Sequence, residues 1–168
     1  YGDFCNQLAD NDYGLQFTTR LFPATMQGEG VEQSIIAALD SINAENEEFD
    51  CVVIIRGGGA TSDLSGFDTL ALAENVANFP LPIITGIGHE RDESVLDMIS
   101  FQRVKTPTAA AAFLVNHLTE VYARVVNAQE AIVQNVKHRL QVEKMRLDRL
   151  SNTIPVQFSL VKTKQGAY

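Results

Sequence analysis

Apolar positions along this chain fall into three patterns, and each predicts a different element. Two short unbroken runs, Cys51-Val52-Val53-Ile54-Ile55 and Pro82-Ile83-Ile84-Thr85, have the character of parallel strands covered on both faces. Each leads into glycine, the first at Arg56-Gly57-Gly58-Gly59 and the second at Gly86-Ile87-Gly88-His89. Helical spacing marks Val31 to Ile42, after the flexible Gly28-Glu29-Gly30, and again Asp68 to Asn78, where Asp68 is the expected N-cap. Alternation over Leu15 to Ala24 (LQFTTRLFPA), closed by Pro23, predicts a further strand. Asp3 to Ala9 reads as the tail of a helix, and residues 92–101 as a short one.

A long helix is expected from Thr106-Pro107-Thr108, since proline suits a first helical turn. Leu114, Leu118, Val121, Val125, Ala128 and Ile132, then Val136 and Leu140, form a short heptad seam with one slip in it. A helix of about 40 residues runs to about 60 Å, too long for a compact α/β unit, so it is expected to project and to pair with another helix. The stretch after Pro155 carries no firm signal. The expected fold is therefore α/β: a parallel sheet of right-handed βαβ units with flanking helices, followed by one long projecting, coiled-coil-like helix. Residues 1–107 form the α/β core, 108–152 the long helix, and 153–168 a C-terminal segment left unassigned. Ligands of open parallel sheets bind beyond the carboxyl ends of the strands, so both glycine-rich bends are expected to face one crevice.

Composition bounds the chemistry. With 45% hydrophobic and 20% charged residues in 168, the chain can bury a core, and disorder is not expected. No apolar stretch reaches the roughly 18 residues that span a bilayer, and no signal peptide is found; the expected setting is the cytoplasm. Cys5 and Cys51 support neither a disulfide framework nor a zinc site, and Cys51 is expected to act as a small buried hydrophobe. The net charge of −8 argues against nucleic-acid binding as a property of the whole surface. Its distribution matters more. Residues 1–108 hold seventeen acids and five bases, and four of those bases (Arg56, Arg91, Arg103, Lys105) lie in or beside the motifs. Seven acids and no base between Glu29 and Asp50 predict one solvated acidic helix face.

Three stretches carry candidate chemistry. In Arg56-Gly57-Gly58-Gly59 the glycines permit close backbone approach to an anion, and the arginine offers a fork suited to phosphate oxygens. The competing structural reading is a tight turn whose arginine pairs with Asp63 or Asp68. No Gly-Lys-Ser/Thr follows, so this is not a Walker loop. In Gly86-Ile87-Gly88-His89-Glu90-Arg91-Asp92, His89 can exchange a proton near neutral pH, and Asp92 can orient it; alternatively His89 caps the next helix and Asp92 is its N-terminal acid. His117 and His138 are expected on the surface of the long helix. In Arg103-Val104-Lys105-Thr106-Pro107-Thr108, two cations and two hydroxyls precede a helix N-terminus, where phosphate is favoured. An ordinary N-cap with an alanine-rich first turn packed on the sheet is the alternative.

Together the three resemble the exodeoxyribonuclease VII large-subunit family, whose pattern reads approximately R-G-G-G-S-x-x-D-L, then G-x-G-H-E-x-D-x-[ST]-x-x-D, then R-A-x-T-P-[ST]-A-A-A. Here stand RGGGATSDLSGF (56–67), GIGHERDESVLD (86–97) and RVKTPTAAAA (103–112), in the same order, with a Pro-x-x-x-Gln-Gly-Glu-Gly element at 23–30. The chain departs at Ala60, commonly serine, and at Val104, commonly alanine. The resemblance implies hydrolysis of phosphodiester bonds in single-stranded DNA. It assigns cleavage to Asp3, Arg56, His89 and Asp92, Asp3 by the looser alignment. Substrate phosphate falls to Gly57, Gly58, Gly59, Gly88, Arg103, Thr106 and Thr108. It also implies an OB-type binding domain preceding this core and small helical subunits bound along the long helix; self-association through that helix is expected from its seam. No cofactor is expected. Asp3, His89 and Asp92 would supply magnesium ligands if they converge, but the resemblance favours metal-independent chemistry with magnesium at most a stimulant. Two other classes compete: a nucleotide- or cofactor-binding α/β enzyme, although Gly86-Ile87-Gly88 lacks the third glycine of the dinucleotide fingerprint, and a non-catalytic helical scaffold.

Overall fold

A computed structural model describes residues 1–57, 64–88 and 94–165. The chain divides into two compact units, Tyr1–Thr119 and Glu120–Tyr168. The first is an α/β unit. Helices α1 (Gly2–Ala9) and α2 (Val31–Asn43) precede strand β1 (Val52–Ile55); α3 (Leu70–Ala77) leads to β2 (Ile83–Gly86), and α4 (Val95–Ile99) to β3 (Gln102–Arg103). Helix α5 (Pro107–Gln165) begins in this unit and forms the described part of the second. The three strands are parallel and ordered β1-β2-β3, with Val52 opposite Ile83 and Thr85 opposite Arg103.

Successive strand residues face opposite ways, and the unbroken apolar runs serve two cores. Val52, Ile54 and Ile83 join Val31, Ile35, Leu39, Phe67, Leu72, Val76 and Leu96 beneath α2, α3 and α4. Ile84 packs with Phe4 and Leu8 of α1 and with Ala110, Ala111 and Val115 of α5, flanked by Val53 and Ile55. The alanine-rich first turn of α5 therefore packs on the sheet: Ala110 and Ala111 are fully buried. Cys51 is half-buried beside the same cluster. Burial, reinforced by the charge of Asp50, pushes its thiol up; it packs as a small hydrophobe, half-buried where full burial was expected.

Three expectations are corrected. Residues 15–24 form no strand, and among the described residues no backbone bond ties them to β1. Their apolar side chains divide between the two cores, Leu15 and Phe17 on one, Phe22 and Ala24 on the other. Side chains hold the segment, with Thr19 bonded to the Tyr1 hydroxyl at 3.0 Å and Arg20 to Glu45 at 2.6 Å. The acids between Glu29 and Asp50 do not make one solvated helix face. Glu45, Glu47 and Glu48 lie past the end of α2, and Arg20 pairs with Glu45 and Glu48 while stacking over Phe22 and Phe49. The Arg20 hydrogen bond and charge lower the Glu45 carboxyl and raise the guanidinium, but so exposed a pair contributes little stability. Thr69, not Asp68, caps α3, its hydroxyl accepting from the Leu72 N–H; Asp68 Oδ1 instead accepts from the Val95 N–H at 2.7 Å. The stretch after Pro155, for which no element was expected, belongs to α5, which runs on to Gln165, although proline there deprives the Ser151 carbonyl of its helical donor.

The 3-10 turn Ser65–Phe67 seats the start of α2. A Cβ added to Gly66 would lie 2.8 Å from Val31 Cβ, an atom fixed to backbone and buried. Gly66→Ala is expected to destabilise the unit by about 1–3 kcal/mol, the usual cost of overpacking. Urea denaturation checks this, and an unchanged midpoint would mean that α2 shifts at no cost.

Within the second unit, α5 exposes Tyr122, Val125, Ile132, Val136 and Leu140, which includes most of the expected seam from residue 125 onward. His117 and His138 are exposed, as expected for helix-surface residues. No helix among the described residues is long and apolar enough to cross a membrane.

Candidate active site

Because β1 and β2 are adjacent, parallel and in register, both leave the sheet at the same edge. Ile55 stands opposite Gly86, and the Arg56 N–H donates to the Gly86 carbonyl at 3.2 Å. The third strand ends there as well, the Val104 N–H donating to the Thr85 carbonyl at 2.8 Å. Gly86 brings in the start of α5: a Cβ on it would come within 3.2 Å of the Thr106 carbonyl oxygen and 3.3 Å of Ile55 Cγ2. The backbones of Arg56, Gly86, Val104 and Thr106 thus meet at one edge of the sheet. That is where ligands of open parallel sheets bind.

Arg56 is the unusual residue of this edge. Only 7% of it is exposed, and its Nη1 has no hydrogen-bond partner among the described residues. A buried guanidinium nitrogen without a partner is costly, because a hydrogen bond to water is given up and not replaced. The alternative pairing with Asp68 does not occur, since Asp68 Oδ1 holds the α4 N-terminus and forms no ion pair among the described residues. Asp63 lies outside the described residues.

The remaining candidates are distributed as follows. Gly57 is exposed and Gly88 buried. Gly58, Gly59, His89 and Asp92 lie outside the described residues. Arg103 is partly exposed, with Nε 3.8 Å from Asp97 Oδ2. The Thr106 hydroxyl caps α5, accepting from the Ala109 N–H at 3.1 Å, and bonds the Thr108 hydroxyl at 2.9 Å; both threonines are exposed. Asp3 is exposed in the first turn of α1. No hydrogen bond or ion pair among the described residues links it to Arg56, Arg103 or the threonines, although α1 packs on the same cluster as α5. A depression between the C-terminal ends of α2 and α3, near the start of β2, is lined by Asp40 and Glu74 and by no base, which does not suit phosphate.

A sequence profile of the exonuclease VII large subunit matches residues 1–167. The chain belongs to the exonuclease VII large-subunit family. Relatives named exodeoxyribonuclease 7 large subunit include one from Clostridium kluyveri, 35% identical over 136 residues (81% of this chain, 34% of the relative). One from Cyanothece sp. is 32% identical over 169 aligned positions (96% and 38%), and one from Lactobacillus johnsonii is 33% identical over 137 (82% and 30%). The chain spans about a third of the length of the relatives it matches.

Two residues of this exonuclease VII large-subunit edge escaped the sequence reading as site candidates. Asp97 is buried at 4% exposure, and Ser94 is fully buried; they form a reciprocal capping box at the start of α4. The serine at N-cap and acid three residues later in DESVLD were the available signal.

Proposed function

We propose that this domain hydrolyses phosphodiester bonds of single-stranded DNA, by in-line attack of water at the carboxyl edge of its sheet. The observation that carries the proposal is the buried Arg56, whose Nη1 has no partner among the described residues, where two glycine-rich bends leave adjacent strands. A phosphate oxygen is the ligand such a group is built to receive. In this reading Arg56 and the N–H groups of Gly57, Gly58 and Gly59 stabilise the charge of the transition state. His89 transfers the proton and Asp92 orients it. Gly88, Arg103, Thr106 and Thr108 hold flanking phosphate, and Asp3 contributes from α1. Residues 1–107 are the catalytic core. The seam of α5 opens a coiled region that binds small helical subunits and supports self-association, covering the apolar residues it exposes as a single chain. The cytoplasm is the proposed location.

No divalent ion is required in this scheme. The full-length protein with its small subunits is expected to degrade a labelled single-stranded oligonucleotide and to spare the duplex, with activity retained in excess chelator. Intact single strands would end the nuclease proposal. Loss of activity with chelator, restored by magnesium, would replace the metal-free scheme with one in which Asp3, His89 and Asp92 serve as ligands.

A further inference from the structure

We infer that Asp68 is a positioning residue for the proposed reaction, acting through Val95; the inference rests on the nuclease reading above. Asp68 follows the first glycine-rich motif, and Val95 follows the second, which carries His89 and Asp92. Asp68 Oδ1 accepts from the Val95 N–H at 2.7 Å, across 27 residues of chain. Local needs do not account for this bond. Val95 is the first residue of α4, but that helix already has the reciprocal capping box of Ser94 and Asp97. Asp68 and Val95 are both exposed, so water would satisfy the donor and the acceptor equally well. Asp68 forms no ion pair among the described residues, so its carboxylate is not there to neutralise a cation.

What the bond sets is a distance. On one side, the Asp68 N–H donates to the Ser65 carbonyl at 3.1 Å, and its neighbour Phe67 is fully buried. On the other, Ser94 and Leu96 flank Val95 and are fully buried as well. A short hydrogen bond to a carboxylate is stronger than one between neutral groups, and here it joins two points that the core supports separately. Strand pairing sets the spacing of the two glycine-rich bends where they leave β1 and β2. Asp68 sets it a second time, beyond the motifs. Under the nuclease reading, Arg56 and its glycines must meet the same phosphate as His89, and a misplacement of about 1 Å costs about 10²-fold in rate. Asp68 therefore acts on the reaction without touching substrate.

The test uses the full-length protein with its small subunits and a labelled single-stranded oligonucleotide, at a temperature well below the thermal midpoint of each variant. Asp68→Ala should lower kcat about tenfold and leave KM nearly unchanged, because no residue assigned to phosphate is altered. Asp68→Asn keeps an acceptor at the same reach and should recover most of kcat. Added to His89→Ala, Asp68→Ala should cost little more, since the group it positions is gone. Hydrogen exchange at the Val95 amide should quicken in Asp68→Ala and stay slow in Asp68→Asn. A purely structural Asp68 would lower the thermal midpoint and leave kcat alone, or act additively with His89→Ala; either result overturns the inference. Loss of kcat in Asp68→Asn with the Val95 amide still protected would assign the effect to charge and overturn it too, even should Asp68→Ala fail to fold. Absence of single-strand cleavage by the wild-type protein would instead remove the nuclease reading itself, with exchange at Val95 still reporting on the bond.

Discussion

Arg56→Met, placed in the full-length protein, is expected to cut kcat on single-stranded DNA by about 10² to 10³ while leaving the thermal midpoint unchanged or higher. The two halves of that result have one cause. The guanidinium is buried, and its Nη1 lacks a partner among the described residues, so the unliganded fold carries a desolvation cost that a methionine of similar length does not. Replacing buried charge by well-packed apolar side chains is often neutral or stabilising. Under the proposed function that cost is offset only when a phosphate binds, so removal of the group should fall on the transition state. Arg56→Ala should lose as much activity, but it also opens a cavity and so confuses the stability comparison. Single-turnover rates beside calorimetric midpoints decide the matter. Near-normal cleavage would show that Arg56 does not meet the substrate. A midpoint lowered in proportion to the lost activity would make it a structural residue.

His89→Ala should cost about 10² to 10⁴ in rate, the range for loss of a proton-transfer group, with normal folding. The pH–rate profile should also lose the limb that titrates near neutrality, because imidazole is the side chain suited to exchange a proton there. Asp92→Asn, which keeps an orienting hydrogen bond and removes only the charge, should lose less. Cleavage that persists in His89→Ala with its full pH profile would assign the proton transfer to another group. If His89→Ala and Arg56→Met each abolish activity, the double variant should be little worse than either, since residues that act as a unit are not additive.

Much of the edge proposed for this chemistry was legible because parallel strands covered on both faces have to be apolar throughout. Cys51 to Ile55 and Pro82 to Thr85 could hardly be anything else, and glycines directly after them marked the ligand side. The third strand was not legible: Gln102 and Arg103 are two polar residues whose pairing depends on β2 being there. Leu15 to Ala24 misled because alternation reports which side chains are buried, and here burial comes from two cores without a ladder. Asp68 looked like the cap of its own helix, yet its bond goes 27 residues onward to Val95. Asp97 was hidden for the same reason, since Arg103 comes beside it only through the sheet. Local signals identify elements; partners at a distance require the fold.

The Asp68 to Val95 bond has a wider meaning. Arg56 and Gly86 are joined where the two motif segments begin, and Asp68 and Val95 are joined where they end. The segments are two spans resting on shared abutments, so lengthening either one leaves both supports standing. Doubling a closed loop costs only about 0.6 kcal/mol in chain entropy, so stability alone places little restraint on how long these spans are. Under the proposed function, their length would instead answer to the geometry of a phosphate.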